Sequence, residues 1–228
     1  MQNLIEQMQI KVNEKTYLKD PTSSDLGKNI LSKSVLLIDE IGLEAFTFRK
    51  LAKEMETTES SIYRYFESKH KLLIYLTSWY WCWIEYQLLF ATTNITSPIE
   101  RLNQAIGVVA KDISGKEWNT FIDLEVLNRI VISESSKTFF IKNVDEANKI
   151  GFYSGYKRLV KQIAEIVLEI NPDFNYAHTL ISTIVEGIHY QKYFAEHLPS
   201  LTDIKSDSQE LATFYSEMAL AIIQKKNK

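Results

Sequence analysis

The sequence contains little of what disulfide frameworks, metal clusters and membrane spans require. Its single cysteine, Cys82, excludes an intramolecular disulfide and a cysteine-rich zinc site. Seven glycines and four prolines are too few for the many tight turns of an all-β sandwich. The most apolar stretch, Leu72–Ile84, is shorter than the ~20 residues that span a bilayer, and polar or charged residues flank it closely. These shortages favour a globular, mostly helical chain.

The chain also lacks a strong excess of either charge. The net charge of its 228 residues is −3, and residues 28–72 hold eight basic and seven acidic side chains. A surface that binds a polyanion would therefore depend on local cations. The first residues include Glu6 and no long apolar run, so we expect no signal peptide and a cytoplasmic protein.

What the chain does contain is helical periodicity. Leu, Ile, Lys, Glu and Ala recur at helical spacings, which predicts an all-α fold. We divide it into an N-terminal arm over residues 1–21, a three-helix unit over 22–72 and a helical body over 73–228. In the arm, Ile10, Val12 and Tyr17 alternate with polar residues, so a short strand or hairpin and a frayed arm are both open.

Capping residues and apolar stripes place the individual helices. The first is expected over about Ser24 to Ile41 and stops at Gly42, and its apolar stripe is Leu26, Ile30, Ser34, Leu37 and Ile41. Thr47 and Thr58 are N-cap candidates for two short helices. Longer helices follow at about 71–91, 98–113, 117–132, 136–148, 152–170, 173–196 and 206–225, and Ser114-Gly115 is one of the breaks between them.

The two short helices and the longer one before them form a helix–turn–helix pattern. Ala52 is small enough to let the next helix cross closely, and Ile62 and Phe66 would hold that helix against the other two. The side chains expected to point outward are Ser60, Ser61, Tyr63, Arg64 and Tyr65. Short hydroxyls and an arginine at the start of an exposed helix suit the base edges and phosphates of a major groove.

The stretch GLEAFTFRKLAKEM, followed by SSIYRYFESKHKLL, resembles the N-terminal DNA-binding domain of TetR-family transcriptional regulators. The resemblance rests on Gly42, Phe46-Thr47, Leu51-Ala52, the Ile62–Phe66 core and the Lys69–Leu72 opening of the next helix. It covers about residues 24–76. It implies a DNA-binding head, and beyond it only the length and the all-helical layout are similar.

The resemblance implies roles for individual residues. Thr47 and Arg49 would contact phosphates, Ser60, Ser61 and Arg64 would read bases, and Tyr63, Tyr65 and Lys69 would hold the DNA backbone. Together with their neighbours, the DNA-binding candidates are Thr47, Arg49, Lys50, Thr58, Ser60, Ser61, Tyr63, Arg64, Tyr65 and Lys69.

Two residues depart from the family pattern. Glu56 occupies the turn position that usually carries glycine, where a positive φ costs a non-glycine residue ~1 kcal/mol. Glu59 would repel phosphate unless it accepts a hydrogen bond from a cytosine amino group. Both residues bear on the operator contacts more than on the fold.

Aromatic residues on the long fourth helix form a second candidate site. Trp79, Trp83, Tyr86 and Phe90 share one helix face, which suits either core packing or the walls of a site for a flat, apolar ligand. In the family that the sequence resembles, this helix links the head to the effector domain. The effector-binding candidates are Trp79, Trp83, Tyr86, Phe121 and Tyr153.

The last two long helices are the expected dimer surface. Their apolar stripes are Ala177, Ile181, Ile184 and Ile188 on one helix and Leu211, Tyr215, Met218 and Ile222 on the other. Two copies of this helix pair would make a four-helix bundle, whereas packing within one chain is the alternative.

We therefore expect a ligand-responsive transcriptional regulator, a repressor, that binds a palindromic DNA operator as a homodimer and is released by a small apolar or aromatic effector. No catalytic residue, cofactor, metal or membrane partner is expected. One alternative is a helical metal-carboxylate enzyme, because Glu186 and His189 share a helix face at i, i+3. Another is a helical adaptor that has lost DNA binding, given Glu56 and Glu59.

Overall fold

The computed structural model describes residues 10–113, 121–205 and 207–224. Over these residues the chain forms α-helices and short 3-10 turns but no strand, which confirms the all-α prediction. None of the helices in this part of the chain combines the length and the apolar character needed to cross a bilayer. The helices are α1 (Asp25–Ala45), α2 (Phe48–Glu54), α3 (Glu59–Tyr63), α4 (Lys69–Thr92), α5 (Pro98–Ala110), α6 (Leu124–Glu134), α7 (Ser136–Phe139), α8 (Val144–Ile150), α9 (Ser154–Ile170), α10 (Ala177–His197) and α11 (Ser208–Ile223).

Side-chain caps start the first three helices, and two of these caps are the predicted Thr47 and Thr58. The side chains of Ser24, Thr47 and Thr58 accept hydrogen bonds from backbone N–H groups in the first turns of α1, α2 and α3. The predicted stop at Gly42 is instead a kink, because α1 resumes for one short turn after it and ends at Ala45. Gly42 has φ 73° and ψ 156°, a conformation that only glycine adopts readily.

The buried face of α1 is rotated from the predicted stripe. Ile30 and Ser34 are buried as expected, but Leu26 is exposed, and Leu37 and Ile41 are only half-buried. The residues that complete the buried face are Leu31, Val35 and Ile38. The rotation arises because α1 packs against α6 as well as α2, and the contact with α6 was not part of the sequence prediction.

The N-terminal arm corrects a second expectation. Residues 10–20 contain no strand; instead, Glu14–Thr16 form a 3-10 turn. The side chain of Asn13 starts this turn by accepting a hydrogen bond from the N–H of Lys15 at 2.9 Å. Residues 1–9 of the predicted arm lie outside the described part of the chain.

Several later helices are shorter than predicted. The helix expected at 98–113 ends at Ala110, and the one expected at 173–196 begins at Ala177. The segment 136–148 contains α7 and the start of α8, separated where Phe140 leaves helical geometry with ψ 59°. The helix expected at 117–132 runs from Leu124 to Glu134. The predicted break at Ser114-Gly115, the predicted helix start at 117–120, and residues 206 and 225 lie outside the described residues.

The chain divides into two compact units. The first comprises Met1–Cys82 and Ile113–Gly155, and the second comprises Trp83–Asp112 and Tyr156–Lys228. In the first unit, α1 packs against α2 and α6, and α2 packs against α3. In the second unit, α11 packs against α5 and α10. The predicted domain boundaries after residues 21 and 72 stay predictions.

Candidate nucleic-acid interface

The turn between α2 and α3 is a Schellman motif. The N–H of Thr57 donates to the carbonyl oxygen of Ala52 at 2.9 Å, and the N–H of Glu56 donates to that of Lys53 at 3.2 Å. Glu56 occupies the left-handed position, with φ 51°. The positive φ expected from the sequence is therefore present, on a residue whose side chain makes it unfavourable.

Three hydroxyl groups gather at the start of α3. The Thr58 hydroxyl lies 2.8 Å from Ser60 Oγ and 2.9 Å from Ser61 Oγ, and it also accepts a hydrogen bond from the N–H of Ser61. Thr58 and Ser60 are exposed, and Ser61 is half-buried. This cluster offers hydrogen-bond donors and acceptors at the N-terminal end of α3, which base edges and phosphates would meet first.

Apolar residues fix which side of α3 faces outward. Ile62 and Phe66 are fully buried, as predicted, whereas Arg64 is exposed and Tyr63 is 48% exposed. The ring of Tyr63 meets that of Phe48 edge-on, with centroids 5.0 Å apart. Because Phe48 is itself buried at the start of α2, its contact holds the Tyr63 ring in place while about half of the Tyr63 surface stays exposed.

The polar candidates on α2 are also at the surface. Thr47, Arg49 and Lys50 are all exposed. The Lys50 ammonium donates to the carbonyl oxygen of Ala45 at 2.8 Å, which places its charge beside the end of α1. Glu59 is exposed in the first turn of α3, so its carboxylate lies in the same region as the hydroxyl cluster.

Tyr65 does not point outward, which corrects the sequence prediction. Its side chain is 3% exposed, and its hydroxyl lies 2.8 Å from the hydroxyl of Ser24, the N-cap of α1. Arg64 keeps helical dihedrals and the N–H of Phe66 donates to the carbonyl oxygen of Ile62 at 3.1 Å, so Tyr65, three positions after Ile62, lies on the same buried side. A residue two positions from an exposed tyrosine is thus structural.

Lys69 is also engaged within the head. Its ammonium donates to the carbonyl oxygens of Leu43, Glu44 and Phe46 at 2.9, 3.0 and 3.2 Å. These three acceptors match the three donors of an ammonium group. Lys69 therefore stabilises the end of α1 and the connection that leads to Thr47, and its contact with DNA stays a prediction.

A second group of residues that hold α1 was not predicted from the sequence. Arg129 of α6 pairs with Asp39 through two hydrogen bonds of 3.1 and 2.7 Å. One carboxylate oxygen of Glu134 accepts a hydrogen bond from the N–H of Leu43 at 3.3 Å, just beyond the kink. These pairs join residues about ninety positions apart, so no local pattern could have indicated them.

The aromatic effector candidates lie mainly in the interior. In the first unit, Trp79 is buried, Phe121 is half-buried, and the hydroxyl of half-buried Tyr153 donates to the carbonyl oxygen of Thr138 at 2.8 Å. In the second unit, Trp83 is buried and Tyr86 is half-buried. Phe90, on the same predicted stripe, is exposed. Their assignment to an effector stays a prediction.

Most of the predicted dimer residues are covered by their own chain. The buried ones are Ala177, Ile181, Ile184, Ile188, Leu211 and Tyr215. This is the intrachain packing that the sequence left open as the alternative. Met218 is half-buried and Ile222 is exposed, and Phe214 and Tyr190 are further exposed aromatic residues on α11 and α10.

The two residues behind the metal-enzyme alternative have other surroundings. The carboxylate of Glu186 accepts a hydrogen bond from the hydroxyl of Tyr156 at 2.8 Å. His189 is buried, and burial lowers its pKa to about 3, with a smaller contribution from the charge of Lys192. In the described ranges, no three histidine, cysteine or acidic side chains are grouped in a way that could hold a metal ion.

Comparison with protein families finds a match that falls on this candidate interface. The family model described as bacterial regulatory proteins of the tetR family matches residues 30–76. These residues contain all of α2 and α3, most of α1 and the start of α4. No curated protein matches the chain at a significant level.

Solved structures share the fold at low sequence identity. The chain is similar to AibR in complex with isovaleryl coenzyme A and operator DNA (TM-score 0.59, 16% identity, covering 84% of this chain and 97% of that one). It is similar to a TetR family transcriptional regulator, PfmR from Thermus thermophilus (0.57, 15%, 87% and 99%). It is equally similar to the superantigen PfiT (0.58, 15%, 88% and 97%). Likeness at this level establishes the fold, so the function must be argued from the residues of the interface.

Proposed function

We propose that the chain, whose residues 30–76 match the model of the tetR family of bacterial regulatory proteins, is a member of that family, and that it binds a palindromic DNA operator as a homodimer and represses transcription until a small molecule releases it. Members of this family are DNA-binding regulators and not enzymes, so the enzyme alternative is not pursued. The proposal concerns three features: the reading surface of α3, the pairing of two copies, and the effector.

One observation carries the DNA-binding part. Tyr63 and Arg64 project from the end of α3 next to the hydroxyl cluster of Thr58, Ser60 and Ser61, while Ile62 anchors the helix from behind. An arginine can read a guanine through two hydrogen bonds, and hydroxyls adapt to bases or phosphates. Large polar residues exposed on a firmly anchored short helix are better suited to a groove than to packing.

Local charge is sufficient for this role despite the acidic chain. Arg49, Lys50 and Arg64 are exposed near α2 and α3, and the Thr47 hydroxyl caps α2 beside them. Phosphate contacts need cations where the DNA backbone passes the protein. Charges on the protein that lie more than a screening length of ~8 Å from the DNA matter less. Glu59 would favour a cytosine at the position that it faces.

The proposed dimer uses the part of α11 that its own chain leaves uncovered. Phe214, Met218 and Ile222 follow one another at intervals of four residues and therefore share a helix face. Phe214 is 52% exposed and Ile222 is 43% exposed, and Tyr190 of α10 adds a third exposed apolar surface. A second copy would cover this face, and pairing would place two α3 helices about one DNA turn apart, ~34 Å.

The effector is proposed to contact the aromatic residues Trp79, Phe121 and Tyr153 in the first unit, or Trp83 and Tyr86 in the second. A large aromatic content suits an apolar or acyl-bearing molecule. The relative AibR, solved with isovaleryl coenzyme A, supports this class of compound. Such a molecule lowers operator affinity by preferring the conformation with the wrong spacing of the two heads.

Selection of genomic fragments by the purified protein tests the proposal directly. We expect enrichment of a palindrome whose half-sites lie about one helical turn apart. The control is the double variant Tyr63→Phe/Arg64→Ala, whose unfolding transition should match that of the natural chain because phenylalanine keeps the ring contact with Phe48 and the Arg64 side chain is exposed. Equal enrichment by this variant would remove Arg64 and the Tyr63 hydroxyl from the readout, and no enrichment by the natural chain would favour the adaptor alternative.

A further inference from the structure

The N-terminal segment Asn13–Lys19, which we name the strap, contacts several separate parts of the first unit. Thr16 is buried, and the ring of Tyr17 meets that of Tyr75 in α4 edge-on at 5.9 Å. Just before the strap, the carbonyl oxygen of Lys11 lies 3.8 Å from the sulfur of Cys82. The strap is therefore packed along the head rather than frayed from it.

One end of the strap is fixed to the end of α8. The Asn13 side chain uses its oxygen to accept from the N–H of Lys15 and its Nδ2 to donate to the carbonyl oxygen of Ile150 at 2.9 Å. Gly151, the next residue, has φ 90°, and a Cβ atom there would lie 3.1 Å from the same Nδ2. The close fit leaves room for the asparagine amide and little else.

The other end of the strap is fixed to the segment that follows α3. The N–H of Leu18 donates to the carbonyl oxygen of Tyr65 at 2.8 Å, and the ammonium of Lys19 lies 5.2 Å from the centre of the Tyr65 ring. Tyr65 comes directly after Tyr63 and Arg64. The strap thus acts on the backbone next to the two residues proposed to read DNA.

We propose that the strap is a positioning element that ties the orientation of Tyr63 and Arg64 to the end of α8. This inference rests on the proposed function for the part that concerns DNA. Asn13 and Leu18 are positioning residues: they touch no DNA, and they act through Tyr65. A shift of the Ile150 carbonyl would be transmitted to the reading residues through the six-residue path from Asn13 to Leu18.

The end of α8 is held in a way that makes such a shift dependent on the effector region. Phe152 is buried, its carbonyl oxygen accepts from Ser78 at 3.0 Å, and the ammonium of Lys71 lies 4.1 Å from its ring centre. Tyr153, an effector candidate, is bonded to Thr138. A ligand that moves Tyr153 would displace Ile150, three residues earlier, and with it the anchor of the strap.

The substitution Asn13→Asp removes the hydrogen bond to Ile150 and keeps the hydrogen bond that starts the local turn. Aspartate keeps the oxygen that accepts from Lys15 but cannot donate to Ile150, and its charge faces a carbonyl oxygen. We expect amide hydrogen exchange of residues 62–66, measured on the full chain without DNA, to accelerate about fivefold to tenfold, the effect of losing one part-buried hydrogen bond. Operator affinity should fall by a similar factor.

Two further variants make the test decisive. Asn13→Ser is a milder version that retains a short acceptor and cannot reach Ile150, and Lys15→Ala changes an exposed side chain of the same segment as the matched control. Faster exchange at 62–66 in both Asn13 variants but not in Lys15→Ala supports the strap, even if the natural chain selects no DNA. Faster exchange confined to residues 10–18, or no change, overturns it whatever the operator affinity does.

Discussion

The hydroxyl of Tyr65 lies 2.8 Å from the hydroxyl of Ser24, and this contact joins the end of the reading segment to the start of α1. Ser24 already accepts from the N–H of Gly27 as the N-cap of α1. Either hydroxyl can therefore donate in this contact: Ser24 to the tyrosine oxygen, or Tyr65 to the serine oxygen. Tyr65 belongs to the framework of the head, whereas Tyr63 belongs to its surface.

This division predicts opposite effects for two conservative substitutions. Tyr65→Phe removes the contact with Ser24 and should lower the free energy of unfolding by ~1 kcal/mol, with operator affinity unchanged for the folded protein. Tyr63→Phe should leave stability within ~0.5 kcal/mol and weaken operator binding. Urea unfolding and fluorescence anisotropy with an operator duplex measure the two quantities. A Tyr65→Phe protein of natural stability and weakened DNA binding would reverse the assignment.

The Schellman turn gives a second prediction. Glu56→Gly should raise the free energy of unfolding by up to ~1 kcal/mol, because glycine adopts φ 51° without a Cβ conflict while paying some entropy in the unfolded chain. Thermal and urea unfolding measure the change. The substitution also removes a negative charge beside the reading helix, so operator affinity should rise at low salt.

The chain contains a matched control for that turn. The end of α8 has the same pair of hydrogen bonds, from Phe152 to Ala147 and from Gly151 to Asn148, with glycine at the left-handed position. Gly151→Ala should therefore destabilise the protein by at least ~1 kcal/mol, the reverse of Glu56→Gly, through backbone strain and through a Cβ atom 3.1 Å from Nδ2 of Asn13. If both substitutions shift stability in the same direction, backbone strain is not what distinguishes the two turns.

Local signals in the sequence were sufficient for the caps and apolar anchors of the two short helices. The hydroxyl caps Thr47 and Thr58 and the buried pair Ile62 and Phe66 depend on neighbours within a few positions, and each is found where it was predicted. The strain at Glu56 was expected from the resemblance, because the turn position that Glu56 occupies usually carries glycine in that family.

Long-range contacts were not accessible to the same reasoning. Tyr65 is buried because Ser24 lies beside it, forty-one positions earlier, and the strap is ordered because Ile150 accepts from Asn13 across 137 positions. On α10 and α11 the sequence showed two apolar stripes but could not show which of them the chain itself covers. Helices with more than one apolar face leave that choice to tertiary packing.

Burial of His189 predicts a loss of stability in acid. Burial lowers its pKa to about 3 from the ordinary 6.5, so between these values the unfolded chain binds one more proton than the folded one. The free energy of unfolding should therefore fall by ~1.4 kcal/mol per pH unit as the pH drops below 6.5. In His189→Gln the free energy of unfolding should lose this contribution to its pH dependence, as measured by urea unfolding from pH 7 to 4. Parallel profiles for the natural chain and His189→Gln would contradict the prediction.

Aspartate substitutions on α11 test the proposed dimer, and an aspartate substitution elsewhere controls for general effects of surface charge. Phe214→Asp/Ile222→Asp should weaken self-association at least about a hundredfold, because burial of each side chain contributes roughly 1.5–3 kcal/mol. Sedimentation or light scattering measures the mass of the particle. Phe140→Asp is the control, since Phe140 is 78% exposed and belongs to the first unit. A double variant that stays dimeric would place the interface elsewhere.

Arg64 and Arg49 should differ in how they contribute to DNA binding. Arg64, at the end of α3, is proposed to contact a base, so Arg64→Ala should lose ~1–3 kcal/mol of specific binding and relax the preference at one position of the site. Arg49, in the first turn of α2, is proposed to contact phosphate, so Arg49→Ala should weaken binding uniformly and reduce the salt slope by about one ion.

Lys161→Ala, at an exposed residue of the second unit, controls for the change in net charge. Binding to the operator and to each single-base variant, at several salt concentrations, distinguishes the two roles. If Arg64→Ala lowers affinity equally for every sequence, Arg64 contacts the DNA backbone, and base recognition must lie with the hydroxyls of Ser60 and Ser61.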